Sequence, residues 1–439
     1  MTLKQRLALG AYGWFMRLLV PLLLLRLWRR ARREPLYGTA MSERLGYAPM
    51  TAPGAVWLHA VSLGETRAAE PLVRALRMLW PDVRLLLTHG TATGRAAGEL
   101  LLQAGDFQCW VPLDTPSAVQ RFFRRHRPVM GILMETEVWP QLLHEAQRAG
   151  VPVVLANARL SDKSLRQSLR FDALLRPAAA SLAQALAQTE ADAQRLRQAG
   201  VTDVQVMGNI KFDQRPSPEL LAAGESWSAG LSRPVVLAAS WREGEDAPLL
   251  AAWRALLDRR AADAAAQPQP LLLLVPRHPQ RFDEVARLVA DAGLTLVRRS
   301  AWGAGGPGTL ARQAQVWLGD SMGEMPAYYA CAQAALLGGS FAPLGGQNLI
   351  EAAACACPVF LGPHTFNFAQ AADGAVAAGA AWRCADLDAA VSAACALVEC
   401  SDARAAASAA ALAYAGQDQG AAVRMAEAMR RFIFPTAAR

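Results

Sequence analysis

Residues 319–368 read GDSMGEMPAYYACAQAALLGGSFAPLGGQNLIEAAACACPVFLGPHTFNF, and the order of elements in them sets the fold class. A polar turn at Gly319, Asp320 and Ser321 opens a short helix through Tyr328 and Tyr329. The apolar run 334–337 predicts a buried strand. Gly338, Gly339 and Ser340 end it, and Gly345, Gly346, Gln347 and Asn348 make a second turn rich in glycine. A helix over 349–356 and a strand over 358–361 follow. A strand, a glycine turn and a helix in that order form a place to hold a phosphate, because free N–H groups and the positive end of the helix dipole point at the ligand. Glu351, in the first turn of that helix, is placed to accept hydrogen bonds from ribose hydroxyls. Units of this kind also occur without a ligand throughout α/β proteins.

Working outward, the same alternation runs along the whole chain. Strands are predicted over 55–60, 83–87, 107–111, 129–133 and 151–155, with helices over 68–79, 118–126 and 139–149. After Val235 the alternation resumes, with strands over 271–275, 294–297 and 316–318. Such a rhythm predicts mostly parallel sheets covered on both faces. Residues 214–234 hold three Pro, two Gly and four Ser and mark a boundary. The organisation expected is an anchor helix with a basic flank (1–34), a first Rossmann-like domain (35–215), a linker (216–234), a second Rossmann-like domain (235–420) and a terminal helix (421–439) crossing back to the first domain.

A chain of 439 residues suits two domains of roughly 100–200 residues each. Hydrophobic residues make up 53% and charged residues 19%, and the net charge is +8. That balance suits an anionic partner: nucleotide phosphates, nucleic acid or a membrane surface. The basic residues are dispersed and lack an aromatic-plus-basic strand pattern, which counts against nucleic acid. Seven cysteines without a CxxC pair read as thiols in a reducing compartment.

The N-terminus is a different case. Residues 7–28 are LALGAYGWFMRLLVPLLLLRLW, followed by Arg29, Arg30, Arg32 and Arg33. Arg17 breaks the apolar run, so neither half reaches the ~18 uncharged residues of a clear span. No small-residue cleavage site follows. Two readings stand: one imperfect span, or a helix lying in the interface. Both put the bulk of the chain on the cytoplasmic face beside anionic lipid.

Several turns carry candidate chemistry. Glu65, in VWLHAVSLGE, sits near the start of a helix after a strand; on spacing alone it is equally a helix-capping carboxylate. Glu135 and Glu137, in METEVWP, point the same way if the chain there is extended. Lys211 lies in GNIKFD, where a cation steadies developing charge or simply faces solvent. Arg277, in VPRHPQRF, offers a planar fork for a phosphate. The single Asp-x-Asp, Asp386 and Asp388, reads as a helix cap, and neither a Walker loop nor an HExxH is present.

These segments, in this order and over both predicted domains, resemble the Kdo (3-deoxy-D-manno-octulosonic acid) transferases, glycosyltransferase family 30. The resemblance implies the GT-B fold, two Rossmann-like βα domains facing across a cleft, and transfer of Kdo from CMP-β-Kdo to the lipid A precursor at the bacterial inner membrane, with inversion. It assigns Glu65 as general base, with Ser62, Gly64 and Arg95 on the acceptor side, and gives Glu135 and Lys211 supporting roles in the transition state. Pro276, Arg277 and His278 fall to the cytidine monophosphate part of the donor. Met322, Gly323 and Glu324 frame its base and ribose, and Gly346, Asn348, Leu349, Ile350 and Glu351 hold phosphate and ribose. No cofactor and no metal are expected. Two departures stand out. Val61-Ser62 replaces the family's Ala-Ser ahead of Gly64-Glu65, and Gln347 replaces its usual His, which removes a group able to titrate near neutral pH. Ser240, in AASWREGED, resembles a family Ala-Ser segment. The rivals are a UDP-sugar transferase or epimerase of the same fold, or a membrane-bound sensor of nucleotide sugars.

Overall fold

The computed structural model describes residues 1–262, 268–303 and 305–434. They form two compact units: residues 1–213 with 418–434, and the described residues of 214–417. Each is built on a seven-stranded, all-parallel sheet with helices between successive strands.

The first unit contains β1 (Val56–His59), β2 (Leu85–His89), β3 (Phe107–Trp110), β4 (Met130–Met134), β5 (Val153–Ala158), β6 (Gln184–Ala187) and β7 (Val204–Val206). Their order, β3-β2-β1-β4-β5-β6-β7, is doubly wound, and it reverses between β1 and β4. Loops leaving the carboxyl ends of strands at such a point form the crevice where this fold binds ligands. The loop after β1 carries Glu65 and the loop after β4 carries Glu135. Both faces of the sheet are covered. Val56, Leu58, Ile132 and Leu186 pack with Leu72, Met425 and Met429. Trp57, Leu133 and Leu155 pack on the other side with Phe122 and Leu142. The terminal helix Ala421–Ile433 is thus part of the first unit's core, and the Asp213 carboxylate caps it by accepting from the Ala422 N–H at 2.6 Å.

The second unit contains β8 (Val235–Trp241), β9 (Leu271–Pro276), β10 (Leu296–Arg298), β11 (Val316–Leu318), β12 (Ala334–Leu337), β13 (Val359–Leu361) and β14 (Ala381–Arg383). Their order is β10-β11-β9-β8-β12-β13-β14, with the reversal between β8 and β12. The run 334–337 is a strand with all four residues buried, as its composition predicts.

Two local expectations, the linker and the helix over 349–356, are corrected, and the expected N-terminal helix is present. The stretch 216–234 is not a linker but carries the helix Pro218–Ala229, begun by the Ser217 hydroxyl accepting from the Leu220 N–H. Ser at the N-cap and Pro at the first helical position are start signals that resemble loop composition. Trp227 of that helix is buried against Tyr328 and Trp302. The helix expected over 349–356 is one turn, Ile350–Ala354. The N-terminal apolar segment is one unbroken helix, Leu3–Ala31, capped reciprocally by Thr2 and Gln5. By length and composition it is able to cross a membrane.

Candidate active site

In the first unit, Ser62 leaves β1 extended and caps the helix Leu63–Leu79, its hydroxyl accepting from the Glu65 N–H at 3.4 Å. The Glu65 carboxylate folds back on the same turn. It accepts from the Val61 N–H at 2.6 Å and from the Ser62 hydroxyl at 3.3 Å. Glu65 is thus part of the helix-start hydrogen bonding on both its N–H and its carboxylate. Burial, aided by the negative charges of Glu137 and Glu135, pushes Glu65 up to about 7 against the pull of those hydrogen bonds. Gly64 is exposed, and a side chain there would meet only the Ser62 hydroxyl.

Glu135 is not extended. Its φ of 59° is left-handed, a conformation that costs a non-glycine residue about 1–3 kcal/mol. Two backbone bonds hold it there: its N–H donates to the Ala156 carbonyl, and its own carbonyl accepts from the Arg159 N–H. The buried carboxylate lies between Lys211 Nζ at 2.9 Å and Arg159 Nε at 3.0 Å. Burial alone would raise its pKa; Lys211 and Arg159 outweigh that and hold it below the ordinary carboxylate range. Glu137 accepts from the Trp139 indole. Burial pushes Glu137 up as well.

Lys211 sits on the short helix Ile210–Asp213, whose Ile210 N–H donates to Asn157 Oδ1 at 3.2 Å. Asn157 is fully buried and left-handed at the end of β5. Neither Asn157 nor Arg159 stands out in the sequence, because both act through contacts with distant residues. His59 and His89, at the ends of β1 and β2, are pushed down by burial to about 3 and about 4. Glu65, raised to about 7, is able to exchange a proton near neutrality. Arg95 is engaged inside the unit, paired with Glu43 at 2.7 Å and lying over the Trp110 ring.

In the second unit, the loop after β8 carries a carboxylate that the sequence reading did not single out. Glu245 is 1% exposed. One oxygen accepts from the Phe341 and Ala342 N–H groups at 3.0 Å each. The other accepts from Gly339 at 2.7 Å and from Arg242 at 3.2 Å. The N–H groups of the first glycine turn are thus occupied by the chain's own anion. Gly338 is required beneath it, since a side chain would strike the Ser240 carbonyl and the Trp241 backbone. Ser240 itself is left-handed, with φ 53°.

The second turn, Gly345 and Gly346, is also left-handed, with φ 89° and 76°. It is stitched to the HTFNF segment: the Asn367 N–H donates to the Gly345 carbonyl, and Asn367 Nδ2 to the Leu344 carbonyl, both at 3.0 Å. Ser340 joins β12 to the loop after β13, accepting from the Gly362 N–H at 2.8 Å. Asn348 Oδ1 accepts from the Ile350 N–H at 3.2 Å, and Leu349 and Ile350 are buried. Glu351 lies in the first turn of that short helix.

Pro276 ends β9, and the half-buried Arg277 follows, its N–H bonded to the Trp241 carbonyl. His278 is exposed and is held below its ordinary pKa, first by partial burial and then by Arg242 and Arg277. Met322 is 57% exposed, and Gly323 is left-handed with open space around it. Glu324 is paired with Arg299 at 2.9 Å and bonded to the Ser321 hydroxyl. An open depression of about 650 Å³ is lined by Pro363, His364, Thr365, Phe366, Ala369, Asp373, Arg383, Cys384 and Ala385, none of them among the residues assigned to the donor.

Residues 39–214 match a family model described as 3-deoxy-D-manno-octulosonic-acid transferase (kdotransferase). The chain is 49% identical to the 3-deoxy-D-manno-octulosonic acid transferase of Bordetella pertussis over 97% of its length and 99% of the relative's. It is 36% identical to the enzyme of the same name from Haemophilus influenzae, over 80% and 81% of the two chains. Among solved structures, a glycosyltransferase from Rickettsia africae matches with TM-score 0.57 and 12% identity, covering 88% of this chain and all of that one. A putative UDP-N-acetylglucosamine 2-epimerase from Listeria monocytogenes matches with TM-score 0.57 and 13% identity, over 89% and 99%. These two establish the fold alone.

Proposed function

The chain belongs to the Kdo transferase family, and from that premise we propose that it moves Kdo from CMP-β-Kdo to the lipid A precursor, with inversion and with Glu65 as general base. Kdo transfer is the activity of the family. The donor, the acceptor and the base are the reading offered here. In the proposed step, Glu65 takes the proton of an acceptor sugar hydroxyl. The freed oxygen bonds to the anomeric carbon of Kdo as the bond from that carbon to the phosphate oxygen breaks. The electron pair leaves with CMP.

The observation that carries this reading is Glu65 itself: a carboxylate held in one orientation by Val61 and Ser62, and raised by burial to about 7. A base whose pKa lies near the working pH combines a large deprotonated fraction with a strong pull on the proton. Lys211, clamped by Glu135, is the proposed fixed positive charge of the acceptor unit. Arg277, Asn348 and Glu351 are the proposed phosphate and ribose contacts of the donor unit, with Pro276, His278, 322–324, Gly346, Leu349 and Ile350 shaping that site. One phosphate on the donor needs basic side chains and N–H groups rather than a divalent ion. The N-terminal helix is proposed to hold the enzyme on the cytoplasmic face of the inner membrane.

Incubation of the protein with lipid A precursor and CMP-Kdo, followed by mass measurement of the lipid, tests this reading. Products heavier by whole Kdo residues support it, and unchanged lipid overturns it.

A further inference from the structure

The helix Leu3–Ala31 has two apolar faces that point in opposite directions. One lies on the first unit. Leu9, Tyr12, Met16, Leu23 and Leu27 recur at helical spacing, and each is at most partly exposed. Gly13 is buried on the same side, where a side chain would meet the Gln141 amide and the Pro116 ring. Gln141 Nε2 donates to the Leu9 carbonyl at 2.9 Å, and the Tyr12 hydroxyl donates to Asp114 at 2.8 Å. At the far end, Leu27 and Ala31 pack with Tyr37 and Trp110. The docking therefore extends along the helix.

The opposite face is bare. Leu3, Leu7, Trp14, Leu18, Leu22 and Leu25 are 74%, 64%, 66%, 75%, 61% and 40% exposed. At roughly 100° per residue these side chains fall within about a third of the circumference, directly away from the docked stripe. Lys4 and Arg26 border the stripe on one side, and Arg6 and Arg17 border it on the other. The Arg17 guanidinium lies over the Trp14 ring at 5.2 Å.

A helix that crosses a bilayer meets hydrocarbon over about 30 Å of its length. This helix is about 44 Å long, has one side committed to folded protein, and carries a cation near its middle at the edge of its free stripe. Those features suit a helix at the water–lipid boundary, with the apolar stripe facing down and the cations level with the headgroups. We infer that the helix Leu3–Ala31 lies in the plane of an anionic phospholipid surface, seated by the stripe from Leu7 to Leu25, and does not span the bilayer. This deepens the membrane placement proposed above and is independent of the transfer chemistry.

Full-length protein carrying Cys384→Ser and Cys400→Ser, with single cysteines placed at Leu7, Leu18 or Leu25, provides the test. Each variant is labelled with an environment-sensitive fluorophore. It is then bound to phosphatidylethanolamine–phosphatidylglycerol vesicles containing nitroxide lipids, either shallow or deep. All three positions should be quenched to the same degree, and more by the shallow nitroxide. Replacing phosphatidylglycerol with phosphatidylcholine should lower vesicle affinity about tenfold or more. Deep quenching at Leu18 with shallow quenching at Leu7 and Leu25 would mean a span and overturn the inference. Absence of quenching at all three, with the protein sedimenting as a dimer, would assign the stripe to a second copy and also overturn it. Product formation is not read in this experiment, so its failure is separate from any failure of Kdo transfer.

Discussion

Glu65 is a partly buried carboxylate and Glu135 a buried one of the same unit, and folding shifts their pKa in opposite directions. The fold raises Glu65 from 4.5 to about 7, so the folded state binds its proton more tightly than the unfolded chain does. The stability this gives is complete below about pH 4.5 and is lost as pH rises through about 7. Glu135 is lowered, so its contribution is present above its ordinary range and lost as pH falls through the folded value. Thermal unfolding across pH should show Glu65→Gln gaining stability relative to the parent between pH 5 and 8, as the charged buried form is removed. Glu135→Gln should lose stability there. Glu245 makes a third case. Glu245→Ala leaves the Gly339, Phe341 and Ala342 N–H groups without their acceptor, at on the order of 1–3 kcal/mol for each donor left unsatisfied. A lower Tm, and a KM for the donor that rises more than kcat falls, are expected. The placement of Glu65 was readable because it is local: a strand end, a Ser cap and a Glu three residues on. Glu245 and Arg159 were not, because most of their partners lie far away in sequence.

The helix Pro218–Ala229 shows how composition misleads at the scale of one element. Three Pro, two Gly and four Ser describe a linker, yet Ser217-Pro218 starts a helix, and Gly224 lets it approach the helix Met325–Cys331. A Cβ at Gly224 would run into the Ala327 carbonyl. Gly224→Ala should therefore destabilise the second unit by about 1–3 kcal/mol, seen as a shift in the denaturant midpoint at unchanged slope; a linker would tolerate it. The strands β6, β7 and β14 were also not singled out. They are three or four residues long, two of them in alanine-rich sequence, and pairing with neighbours rather than propensity makes them strands. By contrast 334–337, an apolar run closed by two glycines, was legible to the residue.

At the scale of the whole chain, the βα rhythm specified two doubly wound sheets because parallel strands need crossover helices and buried faces. The seat of the N-terminal helix was not legible. Its two apolar faces blur into one hydrophobic run, and only the fold separates the side on unit 1 from the bare side. The proposed donor chemistry makes two predictions for the intact enzyme. A chelator should leave the transfer rate unchanged within twofold, and CMP should inhibit where UDP at the same concentration does not. The central claim, that Glu65 accepts the proton, is tested most directly by the pH dependence of kcat in Kdo transfer to the lipid A precursor. The parent enzyme should lose rate as pH falls through about 7, and Glu65→Gln should fall at least about 100-fold and lose that inflection. A Glu65→Gln enzyme that keeps its rate, or keeps the same inflection, would contradict the account.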